Sequence, residues 1–155
     1  MHLVLTYFHR IRGPEVYICF PDANLEAKTI TKLTKFFDLD MDETFFEIVL
    51  INKKKKIVNL YFEIPSKFSR GNRELVMLSL IMRLEYDSRL TWSFLVDASH
   101  KILSTPDIYK AFYKHDDFRE DDIEIDIYYE KIKTILNSSL SSLIERMGAK
   151  LEIQS

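Results

Sequence analysis

The chain has 155 residues, 46% of them hydrophobic and 30% charged, with a net charge of -2. That size fits one domain of about 100–200 residues, and the charge argues against a dedicated nucleic-acid binder, whose footprint is a strong basic excess. The one cysteine, Cys19, forms no intramolecular disulfide, no His/Cys cluster has zinc spacing, and the three scattered glycines (Gly13, Gly71, Gly148) build neither a P-loop nor a dinucleotide fingerprint. No apolar run approaches the roughly 18 residues of a membrane span, and His9, Arg10 and Arg12 arrive too early for a signal peptide. A reducing, cytoplasmic setting is the expectation.

Residues 2–9 read as a first strand. Leu3, Val4, Leu5, Tyr7 and Phe8 form an almost unbroken apolar run, the pattern of a central strand covered on both faces. Gly13-Pro14 supplies a turn, after which Val16, Ile18 and Phe20 alternate with Glu15, Tyr17 and Cys19, so a second strand pairs back on the first. Pro21-Asp22 ends it, with Asp22 expected to accept from the first amides of a helix over about 23–37. There Leu25, Ile30, Leu33, Phe36 and Phe37 share a face, while Glu26, Lys28, Thr31, Lys32 and Lys35 occupy the rest.

A second hairpin follows, Phe45–Ile51 against Ile57–Ile64, in which Val58, Leu60, Phe62 and Ile64 alternate with Asn59, Tyr61 and Glu63. Its turn carries Lys53-Lys54-Lys55-Lys56. Clustered lysines gain about 1 kcal/mol each near an anionic surface, which leaves peripheral membrane association open. A solvated hairpin tip, protected from edge pairing, is the simpler reading. Glu74–Leu84 is apolar at every period, so pattern alone leaves strand and helix open. Asp87 or Ser88 then caps a helix carrying Leu90, Phe94, Leu95, Ala98 and Ile102, and Ile108–Tyr113 continues as a short helix after Thr105-Pro106-Asp107. In the last helix, about 126–147, Tyr129, Ile132, Ile135, Leu136, Leu140, Leu143 and Met147 keep one stripe, and Gly148 sits where a left-handed C-terminal cap is expected.

With a strand at the undecided position, this order, β-β-α-β-β-β-α-α, is that of longin domains. Two stretches sharpen the resemblance. Tyr7-Phe8-His9 through Gly13-Pro14-Glu15-Val16-Tyr17 to Phe20-Pro21 resembles the aromatic-strand, Gly-Pro turn, strand, proline opening of nitrogen permease regulator 2-like proteins. Lys67-Phe68-Ser69-Arg70 resembles the same family's basic-aromatic-Ser-Arg loop ahead of its fifth strand. Together they cover about the first half of the chain. The resemblance implies an α/β fold of the α+β type, a single longin-like domain over residues 1–155. Its five-stranded, mostly antiparallel sheet would have Glu74–Leu84 as the central fifth strand, helix one on one face and the C-terminal helices on the other. It also implies a non-enzymatic adaptor, without cofactor, that binds a small Ras-like GTPase or another longin or roadblock domain in a GTPase-regulatory or vesicle-trafficking complex, with a homodimer left open. Because the family's later domains are absent, a stand-alone domain like those of archaeal relatives of trafficking and GTPase-control systems is the expectation.

Arg70 carries the sharpest site reading. In the resembled family the matching loop arginine acts in trans at a GTPase's transferring phosphate, a role worth about 10³–10⁵ in rate. Gly71-Asn72-Arg73 lengthens the loop relative to that family, which predicts a looser loop than a positioned finger requires. Arg70 and Arg73 are therefore expected as contacts to an acidic partner, with GTPase activation through Arg70 as the alternative. Glu26, Lys28, Lys32 and Lys35, pointing outward from helix one, are the other expected partner contacts. A SNARE- or peptide-binding trafficking module with an apolar groove and a small-molecule sensor with a pocket between sheet and helices are competing readings. His2, His9, His100 and His115 are widely separated and no Ser/His/Asp order is recognisable. The acidic run from Asp116 to Asp126 lacks an EF-hand glycine and contains Arg119, so it reads as a solvated connector favouring a helix N-terminus, and no metal is expected. Trp92 and the eleven phenylalanines read chiefly as core.

Overall fold

The computed structural model describes residues 1–22, 24–35, 45–115 and 123–154. In chain order these form β1 (His2–His9), β2 (Gly13–Phe20), α1 (Ala27–Lys35), β3 (Phe45–Leu50), β4 (Lys55–Pro65), β5 (Arg73–Arg83), α2 (Ser88–Leu103), a 3-10 helix (Ile108–Tyr113) and α3 (Ile123–Gln154). The fold is α+β. Its five strands make one open sheet in the order β2-β1-β5-β4-β3, with every neighbouring pair antiparallel.

The segment that pattern left undecided is β5, paired with β1 on one side and with β4 on the other. Its uniform apolarity follows from that place: Val76 through Met82 are all buried, because both faces of the central strand are covered. Alternate residues enter two cores. Leu3, Leu5, Val58, Leu60, Leu78 and Leu80 pack with Phe94, Leu95 and Ile102 of α2 and with Ile132 and Leu136 of α3. Val4, Ile57, Met77 and Ile81 form a smaller cluster with Leu33 of α1.

Several local expectations are corrected. Between Leu5 and Thr6 the β1–β2 register shifts, so Leu5 faces Ile18 but Thr6 faces Val16. The extra residue, Tyr17, joins Ile18 and Phe20 in the larger core, while Val16 and Cys19 pack on the smaller one. Strict alternation fails here because a bulge reverses the facing of everything beyond it. Helix α1 begins at Ala27, too far along for Asp22 to cap it, and the first turn instead returns to the Glu26 carbonyl from the amides of Thr29 and Ile30. Ile30 is 37% exposed, and Phe36 and Phe37 lie outside the described residues.

In the lysine-rich hairpin Lys54 takes the left-handed turn position (φ 51°), whereas Lys55 and Lys56 already belong to β4. Lys56 is buried rather than solvated. Its ammonium donates to the Tyr86 carbonyl and, at 2.8 Å, to Ser88 Oγ, with Glu47 3.9 Å away. Asp87 caps α2 by accepting from the Arg89 amide at 2.9 Å. Gly148 does not end α3, which continues to Gln154, and its φ is not in the left-handed region.

Candidate functional site

The β4–β5 loop is built inward from Ser66. Its hydroxyl donates to the buried Glu74 carboxylate at 2.8 Å and accepts from the amides of Phe68 (3.2 Å) and Ser69 (3.3 Å). Glu74 accepts a second hydrogen bond from the Tyr113 hydroxyl, tying the loop to the 3-10 helix. Phe68 adds an apolar anchor, standing edge-on to Tyr109 and Tyr113 with ring centroids 5.1 Å apart in each pair.

The rest of the loop closes on itself. The Ser66 amide donates to the Asn72 carbonyl at 2.9 Å and the Asn72 amide to the Ser69 carbonyl at 3.1 Å. Ser69-Arg70-Gly71-Asn72 is thus a hydrogen-bonded β-turn with Arg70 and Gly71 at its centre, and Asn72 takes the left-handed conformation that asparagine tolerates (φ 60°). The loop expected to be slack is closed by these hydrogen bonds, and Asn72 is the residue whose left-handed backbone lets it close. Arg70, exposed at the apex, makes no ion pair among the described residues.

This loop forms one wall of a cleft of about 600 Å³ at the end of the sheet. The cleft exists because the two hairpins part. β1 pairs with β5 from His2–Ile81 to Tyr7–Val76 and then stops, while β1 stays paired with β2 to His9–Gly13 and β5 stays paired with β4 to Arg73–Pro65. Phe8, His9, Arg10 and Ile11 line one side, Arg73, Glu74 and Leu75 the other, with Phe112 and Tyr113 beyond.

The polar groups around the cleft are mostly engaged. His9 Nδ1 accepts from the amides of Ile11 and Arg12, both at 3.1 Å, so the ring closes the β1–β2 turn. Arg12 is held by Glu15 and Arg73 by Glu63, both at 2.7 Å. The Tyr7 hydroxyl is pushed up to about 12, chiefly by burial and then by the nearby Glu15, so it stays neutral across the physiological range.

The structure brings Arg70 and Arg73 to this cleft and leaves the other expected contacts elsewhere. Lys28, Lys32 and Lys35 are exposed on α1. Glu26 precedes that helix and is taken by Lys53, whose hydrogen bond holds the carboxyl below its ordinary value. Lys53 belongs to the turn beside Arg83, at the opposite end of β5 from Arg73. An 11-residue strand puts those ends about 33 Å apart. Most of the acidic run, residues 116–122, lies outside the described residues; of its remainder, Glu124 pairs with Lys110 and Asp126 lies 3.7 Å from Lys114. His100 is exposed on α2, and Trp92 is half exposed, edge-on to Phe45.

Sequence reasoning missed Arg10, Ile11, Glu74 and Tyr113 as parts of one site. The dense basic residues of the β1–β2 turn were a signal for Arg10, and a glutamate opening an apolar strand was one for Glu74, but nothing local joined them. Among the described residues, no three His, Cys, Asp or Glu side chains are grouped to hold a metal, and no helix is long and apolar enough to cross a membrane. No family model and no curated protein matches this chain.

Proposed function

We propose that the chain is a longin-like adaptor that binds an acidic face of a small Ras-like GTPase, or of another longin or roadblock domain, through the cleft end of its sheet. The supporting observation is Arg70: an arginine without an ion-pair partner among the described residues, held by its backbone at the tip of a closed turn beside a large cleft. Arginine suits such a contact because its planar fork meets carboxylates or phosphates in pairs of hydrogen bonds. The longin assignment itself rests on the resemblance of the opening hairpin and of the Lys67-Phe68-Ser69-Arg70 loop.

The test is capture of a Ras-like GTPase from native lysate, followed by binding and GTP hydrolysis with purified components. A surface contact at Arg70 weakens on Arg70→Ala in a salt-dependent way, with hydrolysis changed only in step with binding. The second reading, GTPase activation, is favoured by the closed turn. It requires Arg70→Ala, and Arg70→Lys as well, to remove most of the acceleration while binding is nearly kept. A captured GTPase indifferent to both substitutions on both measurements refutes a role for Arg70.

A further inference from the structure

We propose that the fork between β1 and β5 is a binding groove for an extended acidic peptide segment of a partner protein, which adds its backbone to the free edge of β5 at Arg73–Leu75. Two independent features converge there. The β1–β5 register ends at Tyr7–Val76 although both strands continue, so three residues of β5 have β4 on one side and no strand on the other. The 600 Å³ cleft occupies that gap. In a strand, successive residues direct their amide and carbonyl alternately to the two neighbours. At least one residue among Arg73, Glu74 and Leu75 therefore turns its backbone groups towards the fork.

A peptide matches this repeat of donors and acceptors, and its alternate side chains meet the two kinds of wall. Phe8, Ile11 and Phe68 offer apolar surface, with Phe8 and Ile11 40% and 74% exposed. Arg70 and Arg73 stand on the loop side, and of these Arg70 has no acidic partner among the described residues. Glu74, the carboxylate lining the cleft, is already satisfied by Ser66 and Tyr113. Three arginines, Arg10, Arg70 and Arg73, line the cleft against that one carboxylate, so the lining is positive overall, which selects acidic residues at alternate positions and rejects basic ones. The groove shares Arg70 with the reading above but goes beyond it, since it needs an extended segment and no GTPase.

Fluorescent eight-residue peptides, acidic at alternate positions with aliphatic or aromatic residues randomised between them, test this against the full chain alone. Saturable binding is expected. It should weaken about tenfold or more when alternate amides of the best peptide are N-methylated, because the side chains stay while the backbone pairing goes. Lysine in place of the acidic residues should cost as much, and at least one amide within Arg73–Leu75 should exchange more slowly in the complex. These changes are made on the peptide, so the fold of the chain is untouched. No saturating peptide, binding indifferent to N-methylation, or a groove that takes decanoate but no peptide overturns the proposal. None of those results bears on GTPase capture, which stands or falls separately.

Discussion

Thr6 Oγ lies fully buried on the α1 side of the sheet with no hydrogen-bond partner among the described residues. An unmet buried hydroxyl costs about 1–3 kcal/mol, and valine has the same shape without it. Thr6→Val is therefore expected to raise stability, read as a higher urea midpoint at unchanged slope; a lower midpoint would mean the hydroxyl has a partner after all. The neighbouring polar pair is different in kind: Ser79 Oγ donates to Asn59 Oδ1 at 2.6 Å, so removing either member strands the other. At Asp87 the sign of a pH effect can be worked out. The Arg89 side chain, and then its amide, hold the Asp87 carboxyl below 3.8. A carboxyl depressed in the fold adds stability above its unfolded value and loses it as pH falls through the folded one. Asp87→Ala should lower Tm at pH 7, and the gap from the parent should close below pH 3.8.

Among elements, β5 and α1 are opposites. β5 is paired on both sides along most of its length and buried on both faces. α1 has nine residues, of which Leu33 is the buried one. A helix that short does not persist alone in water, so its stability comes from one contact with the smaller core. Hydrogen exchange should be slowest for the β5 amides between Val76 and Ile81 and fast throughout α1. Leu33→Ala should speed exchange in α1 with little change in β5, whereas Leu78→Ala should destabilise the whole sheet by about 2–5 kcal/mol. Equal effects of the two substitutions on β5 would contradict this division.

At the scale of the whole molecule, the basic residues expected as partner contacts form two separate sets. Arg70 and Arg73 flank the fork, and Lys28, Lys32 and Lys35 lie on α1, whose start is tied through Glu26 and Lys53 to the far end of the sheet. Exposed charges separated by more than the Debye length of about 8 Å at physiological salt barely sense one another. Reversing the α1 lysines to glutamate should therefore leave Arg70-dependent binding unchanged at physiological salt. Measured affinities for an acidic ligand at the fork, with and without the reversals, check it; a large loss would mean that one partner spans both sets.

Sequence by itself determined the identity of nearly every element. Apolar alternation marked β4, the 3.6-residue stripe marked α3, and Asp87-Ser88 marked the start of α2, because each signal lies within a few residues of the structure it specifies. Glu74–Leu84 could not be settled that way: a strand covered on both faces and a buried helix present the same apolar run, and pairing with β1 and β4 made it β5. The facing of Tyr17 likewise depended on one inserted residue in a register that two strands share. Arg70 was visible in its loop, yet its closed turn needs hydrogen bonds that link Ser66 to Asn72 and, through Glu74, to Tyr113. The cleft was not legible at all. It arises where two hairpins, each regular in its own sequence, stop pairing with each other, and that is decided only when non-local strands are brought side by side.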